Sequence, residues 1–254
     1  MKKWITTKNA INTVILVLSI LFWIILLLNP GNIMSVKHCH VTLEGPSPDS
    51  LQMLLDMNPF SGLMIGWTVM VFAMMLPKLA MPIQNIYETS FKHNRFFIAF
   101  LFVLGYAIIW IAVGVLMNIA IIGLNLLMPK SFFPAIMVGL IAIIWQFSPI
   151  KQKYLNRGHN HTILAAFGWA SYRDALHFGI MHGIFCVGAG WALMLFPMLL
   201  PQGHNLAMFL VTFIMISEHM EHPKLPRWHF SLRLKLLKIL IAQTKIRIKQ
   251  NSMT

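Results

Sequence analysis

Imidazole, thiol, thioether and carboxylate groups recur in one apolar stretch of this chain. HFGIMHGIFCVGAGW, residues 177–191, carries His177, His182 and Cys186, and Asp174 stands three residues before it. At about 100° per residue on a helix, Asp174, His177 and Met181 fall within about 60° of one another. His182 and Cys186 lie about 80° and 120° round from Asp174, so the polar sector covers about half the circumference. Thiolate and thioether ligands favour Cu(I), and imidazole suits zinc, copper and nickel. One helix cannot complete such a site, so other helices must contribute. In WTVMVFAMMLP, residues 67–77, Met70 and Met74 are one turn apart on one face, while Met64 and Met75 fall elsewhere. SEHMEHP, residues 217–223, spaces Glu218 and His222 four apart and His219 and His222 three apart, like half of a metal site. Carboxylates at a helix C-terminus oppose the dipole, so Glu218 and Glu221 call for a cation, such as Lys or Arg of the basic tail. His38, Cys39 and His40 place a thiol between two imidazoles, a capture set for a soft cation.

The candidate metal residues are therefore His177, His182, Cys186, Met70, Met74, Glu218, Asp174, His38, Cys39 and His40, with copper or zinc as the ion. Plainer roles compete. His177 can hydrogen-bond Asp174 on the same helix, and a free cysteine such as Cys186 is most often a small buried apolar residue. A methionine stripe is more often packing than a metal path. RGHNH, residues 157–161, reads as a polar loop, and SEHMEHP is not the HExxH of a zinc hydrolase.

These residues need elements that hold them in an apolar setting. Of 254 residues, 57% are hydrophobic and 11% charged, and mean hydropathy is +0.70. Soluble domains are about 45–50% apolar and about 25% charged, so the composition reads as an integral membrane protein. Six apolar segments qualify as spanning helices: 11–28, 60–77, 96–118, 132–147, 174–197 and 205–217. The first reads as an anchor rather than a cleaved signal, since its apolar run is long and no small-x-small site follows. With the N-terminus inside, eighteen of the twenty Lys and Arg fall on the inner side, including Lys78 and Lys151. Only Lys37 and Lys130 fall outside. Five or seven helices would place one basic block on the wrong side. The expected fold is all-α, with six transmembrane helices in an inner membrane and both termini cytoplasmic. Residues 1–223 form the membrane domain. Residues 224–254 form a basic tail, in which Phe230, Leu234, Leu237 and Ile241 recur near helical spacing. The tail reads as an amphipathic helix on anionic lipid headgroups rather than a nucleic-acid binder, despite a net charge of +13. Cys39 and Cys186 read as free thiols.

WTVMVFAMMLPKLAMP (residues 67–82), WQFSPIKQKYL (145–155), CVGAGWALM (186–194) and MFLVTFIMISEH (208–219) resemble the motifs of a family of predicted metal-binding integral membrane proteins. The resemblance runs from Trp67 to Pro223. It implies a helical membrane protein that holds a metal, with Glu218 at the family's glutamate position. Ala189 and Gly190 stand where the family carries paired cysteines, and of that thiol set Cys186 alone remains. The resemblance thus implies either reduced metal chemistry or histidines in the thiols' place.

The preferred expectation is a non-enzymatic protein that handles a metal ion, most readily copper, at a site among the second, fifth and sixth helices. One alternative is a proton-coupled transporter with Asp174, His177, His182 and Glu218 as relay. Another is an accessory membrane subunit whose polar groups bind a partner helix.

Overall fold

The computed structural model describes residues 2–28, 48–128, 131–159, 164–165, 168–228 and 235–251. His38, Cys39 and His40 lie outside these residues, as does His161. All regular structure among the described residues is helical. The order is α1 (Lys2–Leu28), α2 (Pro48–Met57), α3 (Phe60–Met75), a 3-10 turn (Leu76–Leu79), α4 (Ala80–Thr89) and α5 (Arg95–Leu127). There follow α6 (Phe133–Phe147), α7 (Pro149–Gly158), α8 (Gly168–Met198), α9 (His204–His219) and α10 (Lys235–Asn251).

Each of the six apolar segments is helical. Four spans are long and apolar enough to cross a membrane: 9–28, 60–89, 95–127 and 168–198. A fifth qualifies if α6 and α7 count as one span bent by 67°. The bend has a local cause. Ser148 leaves the helix in extended conformation, its side chain caps the Lys151 amide at 3.1 Å, and Pro149 starts α7. A capping serine followed by proline at the first helical position is a strong restart signal. Lys151, counted by sequence among the inner-side cations, thus lies in a helix, Pro149–Gly158. The 16 residues of α9 rise about 24 Å.

The long helices α5 and α8 form the centre. Their backbones approach closely because glycines face the partner helix. A Cβ on Gly105 would lie 2.5 Å from the Leu176 carbonyl, and one on Gly179 would collide with the Phe102 carbonyl. Small residues at a crossing permit this contact and the dispersion it brings. Around the pair pack α3 against α5, and α6, α7 and α9 against α8. α1 lies on α3 and α4, pinned where Ser19 Oγ donates to the Ala73 carbonyl at 2.7 Å. The principal core runs through Trp67, Met70, Met74, Met75, Phe102, Tyr106, Trp110, Phe178, Met194, Met208 and Met215.

The 3-10 turn has a physical origin. Pro77 has no N–H to continue an α-ladder, so the helix tightens over Leu76–Leu79 and resumes as α4. Met75, the last residue of α3, and Lys78 in the turn are buried, while Met81 is exposed.

Candidate metal centre and the polar groups of the core

Cys186 lies on the buried side of α8 and meets three groups from two other parts of the chain. Its thiol points to Met75 Sδ at 3.9 Å. Tyr106 of α5 donates its hydroxyl to Cys186 Sγ at 3.3 Å. Lys78 of the 3-10 turn donates from Nζ to the same sulfur, also at 3.3 Å. Cys186 is 7% exposed, Lys78 5%, and Met75 and Tyr106 1% each. One helical turn below, His182 is buried with its ring 5.9 Å from Tyr106, 5.8 Å from Phe102 and 6.1 Å from Phe178. The two sulfurs are themselves buried. A soft sulfur pair in a dry pocket suits a soft, low-charge cation; a closed zinc site needs four N, S or O ligands.

A second polar cluster forms where α6, α7 and α9 meet. Lys151 Nζ lies 2.8 Å from Glu218 Oε2, with side chains 0% and 3% exposed. Gln146 joins both: its amide nitrogen donates to Glu218 Oε1, and its carbonyl accepts from Lys151 Nζ at 2.5 Å. Above it, three imidazoles from three elements meet. His159 stacks on His219 with ring centres 5.3 Å apart, and His182 meets His219 edge-on at 6.3 Å. Both ring nitrogens of His159 contact backbone carbonyls, Leu155 at 2.8 Å and His219 at 2.9 Å. His159 thus closes the end of α7 onto the end of α9, and a small crevice with Glu218, Glu221 and His222 opens beside it.

The candidates from sequence divide accordingly. Cys186 and His182 share the buried face of α8, and Met70 and Met74 are buried in the core. Glu218 is buried in the other cluster, held by Lys151 rather than by the basic tail. Glu221 does pair with a tail residue, Lys224, at 2.6 Å. Asp174 is half-buried; it accepts from the Ala165 amide at 3.2 Å and lies 3.6 Å from Arg173. His177 is exposed on α8. It lies about 140° round the helix from His182, so the polar sector seen in sequence splits into an outer and an inner face. Among the described residues, no three His, Cys, Asp or Glu side chains are grouped to hold a metal ion.

Lys78 and Lys151 correct the charge reading. Both stood among the inner-side loop cations, and both are buried core residues. For Lys78 the signal was present, since it stands in an apolar run beside a proline in LPKLAMP; Lys151 precedes Gln152 and Lys153 and carried no such mark. A cation within an apolar run is functional by default. Met75 and Tyr106 carried no such mark. A wheel centred on Met70 and Met74 puts Met75 about 100° round from Met74, on the side of α3 that meets Cys186.

The chain belongs to the PpoB2 family of copper chaperones, whose family model matches residues 64–232. Comparison with curated proteins and with solved structures returns no match. The matched region contains both polar clusters, from Met75 and Lys78 to Glu218 and His219.

Proposed function

We propose that this member of the copper chaperone family is an integral membrane protein that carries Cu(I) on the sulfurs of Cys186 and Met75. The observation that carries the reading is the 3.9 Å approach of Cys186 Sγ to Met75 Sδ across two distant helical segments. Metal–sulfur bonds of about 2.3 Å to both atoms would meet at about 115°, an angle suited to a low-coordinate soft cation. Met74, next to Met75, and Met70, more than one turn back on α3, supply further thioethers in the same core. A single buried thiol falls short of a tetrahedral zinc set, which favours copper over zinc. Tyr106 and Lys78 hold Cys186 Sγ in place by donating to it, so the sulfur is oriented before the ion arrives.

Membrane integration is supported by the apolar residues that the fold leaves outward. Val14, Leu16, Ile20 and Leu28 on α1, Leu116 and Ile119 on α5, and Ile136, Ile143 and Ile144 on α6 are all exposed. Such belts are unfavourable in water and normal in lipid. With Lys78 and Lys151 removed from the loop count, sixteen of the remaining eighteen Lys and Arg stay on the inner side. Six spans with both termini in the cytoplasm of a plasma (inner) membrane follow from that bias. The partner proposed for α10 is the anionic headgroup layer. Leu237, Leu240, Ile241 and Ile248 are exposed near one face, and Lys238 and Lys245 flank it.

The test is copper stoichiometry of the purified protein in micelles after anaerobic Cu(I) loading. The expected result is about one equivalent held against a mild chelator, falling at least tenfold in Cys186→Ala and in Met75→Leu. Met75→Leu conserves volume and costs under about 1.5 kcal/mol, so it separates ligand loss from unfolding. Copper retained unchanged by both folded variants would sink the assignment.

A further inference from the structure

We propose that the chain holds a second Cu(I) position where α8 turns into α9, with His204 Nε2 and Met208 Sδ as its ligands. The inference rests on the copper reading above and extends it from the core toward the outer face of the proposed membrane domain.

His204 opens α9, and Gly203 before it takes a left-handed φ of +76° that turns the chain back along α8. His204 Nδ1 lies 2.7 Å from the Pro197 carbonyl of α8. A carbonyl only accepts, so Nδ1 donates and the lone pair of the neutral ring sits on Nε2. Nε2 is buried without a hydrogen-bond partner among the described residues. Trp110 Nε1 shares that condition, but its N–H cannot bind a cation. A buried polar atom left without a partner is rare and calls for a cause. Met208 stands four residues on, on the same face of α9, and Cβ atoms at that spacing are about 5–6 Å apart. Side chains on a helix lean toward its N-terminus, so the Met208 thioether leans toward the His204 ring. Met208 is 1% exposed and lies in the principal core. Gly203 and Asn205, on either side of His204, are exposed. The ring thus joins the buried core to the surface, and imidazole with thioether is a neutral pair that suits Cu(I).

The position is continuous with the core site. Gly190 lies one turn beyond Cys186 on α8, and a Cβ there would be 3.6 Å from Met215 Sδ of α9. Met194 follows one turn further and is fully buried. From Cys186 to Pro197 the helix rises about 16 Å, and these thioethers lie between. The copper stays Cu(I) at both positions, since only ligands are exchanged. The C-terminal end of α8 and the N-terminal end of α9 meet at His204, so their dipoles offset there. Two neutral ligands leave the ion its charge, whereas the Cys186 thiolate cancels it. The outer position is therefore the weaker of the two.

The 254-residue chain in micelles, its histidines labelled with nitrogen-15, is titrated with Cu(I) under reducing conditions without a competing chelator. Two equivalents are expected, the second at least tenfold weaker and accompanied by a shift of one histidine Nε2 resonance. His204→Ala and Met208→Leu should each weaken the second equivalent at least tenfold, and Met208→Leu conserves volume. His204→Phe keeps an aromatic ring without the nitrogen and should lose the second equivalent too. Cys186→Ala should lose the first equivalent and keep the second. An unaltered chain with no second equivalent overturns this inference alone, and so does a second equivalent retained in His204→Phe or Met208→Leu. A first equivalent indifferent to Cys186→Ala overturns the copper reading and this inference with it.

Discussion

Lys78 and Lys151 occupy similar environments, 5% and 0% exposed among apolar helices, but they face different chemistry. Lys151 meets a carboxylate at 2.8 Å and an amide that bonds to both partners. Its charge is neutralised, and the cluster ties the bent α6–α7 unit to α9. Lys78 meets the Cys186 sulfur at 3.3 Å. The two lysines are similarly buried and differ in partner, a carboxylate for Lys151 and a sulfur for Lys78.

The largest expected effect lies in the structural cluster. Glu218→Ala removes the carboxylate that meets the buried Lys151 ammonium, which should destabilise the protein by about 3–5 kcal/mol. Thermal unfolding in micelles measures it, and Lys151→Met/Glu218→Leu should recover most of the loss. Copper stoichiometry of the folded double variant should be unchanged. A double variant that is stable but copper-free would reverse the comparison and make Glu218 part of the metal path. A smaller effect is expected at the sulfur site. Cys186→Ala removes a small buried group and should cost about 1 kcal/mol by the same measurement, while the bound copper is lost. Smallest of all is His177→Ala. An exposed side chain away from special features changes stability by no more than about 0.5 kcal/mol, and copper binding should not move. Copper loss in that variant would restore the outer face of α8 as the site.

Much of the helical framework was legible in the sequence, because apolar run length and backbone satisfaction are local properties. Each of the six apolar segments became helix. α7 was missed, although Ser148-Pro149 is a helix start, because a run of Lys, Gln and Asn looks like a loop when read by hydropathy. Cys186 and His182 were legible as polar groups within an apolar helix. Their partners were not. Met75 meets Cys186 from a helix 111 residues earlier in the chain, and Tyr106 meets it where Gly105 and Gly179 let α5 and α8 touch. Both effects depend on contacts between segments some 70 to 110 residues apart, to which helical periodicity is blind. The wheel also merged His177 with His182 into one polar sector, since nothing in a single helix tells which half of a wide sector its neighbours will cover. Lys78 and Lys151 were misplaced for a related reason: a count of loop charges assigns every cation to water unless its buried partner is known.

The central claim is that copper sits on the sulfurs of Cys186 and Met75. X-ray absorption of the Cu(I)-loaded protein at the copper edge tests it most directly. Two sulfur scatterers at about 2.3 Å are predicted, with one lost in Met75→Leu and the characteristic signal abolished in Cys186→Ala. A shell made only of nitrogen and oxygen, unchanged in either variant, would contradict it and move the copper to the histidines.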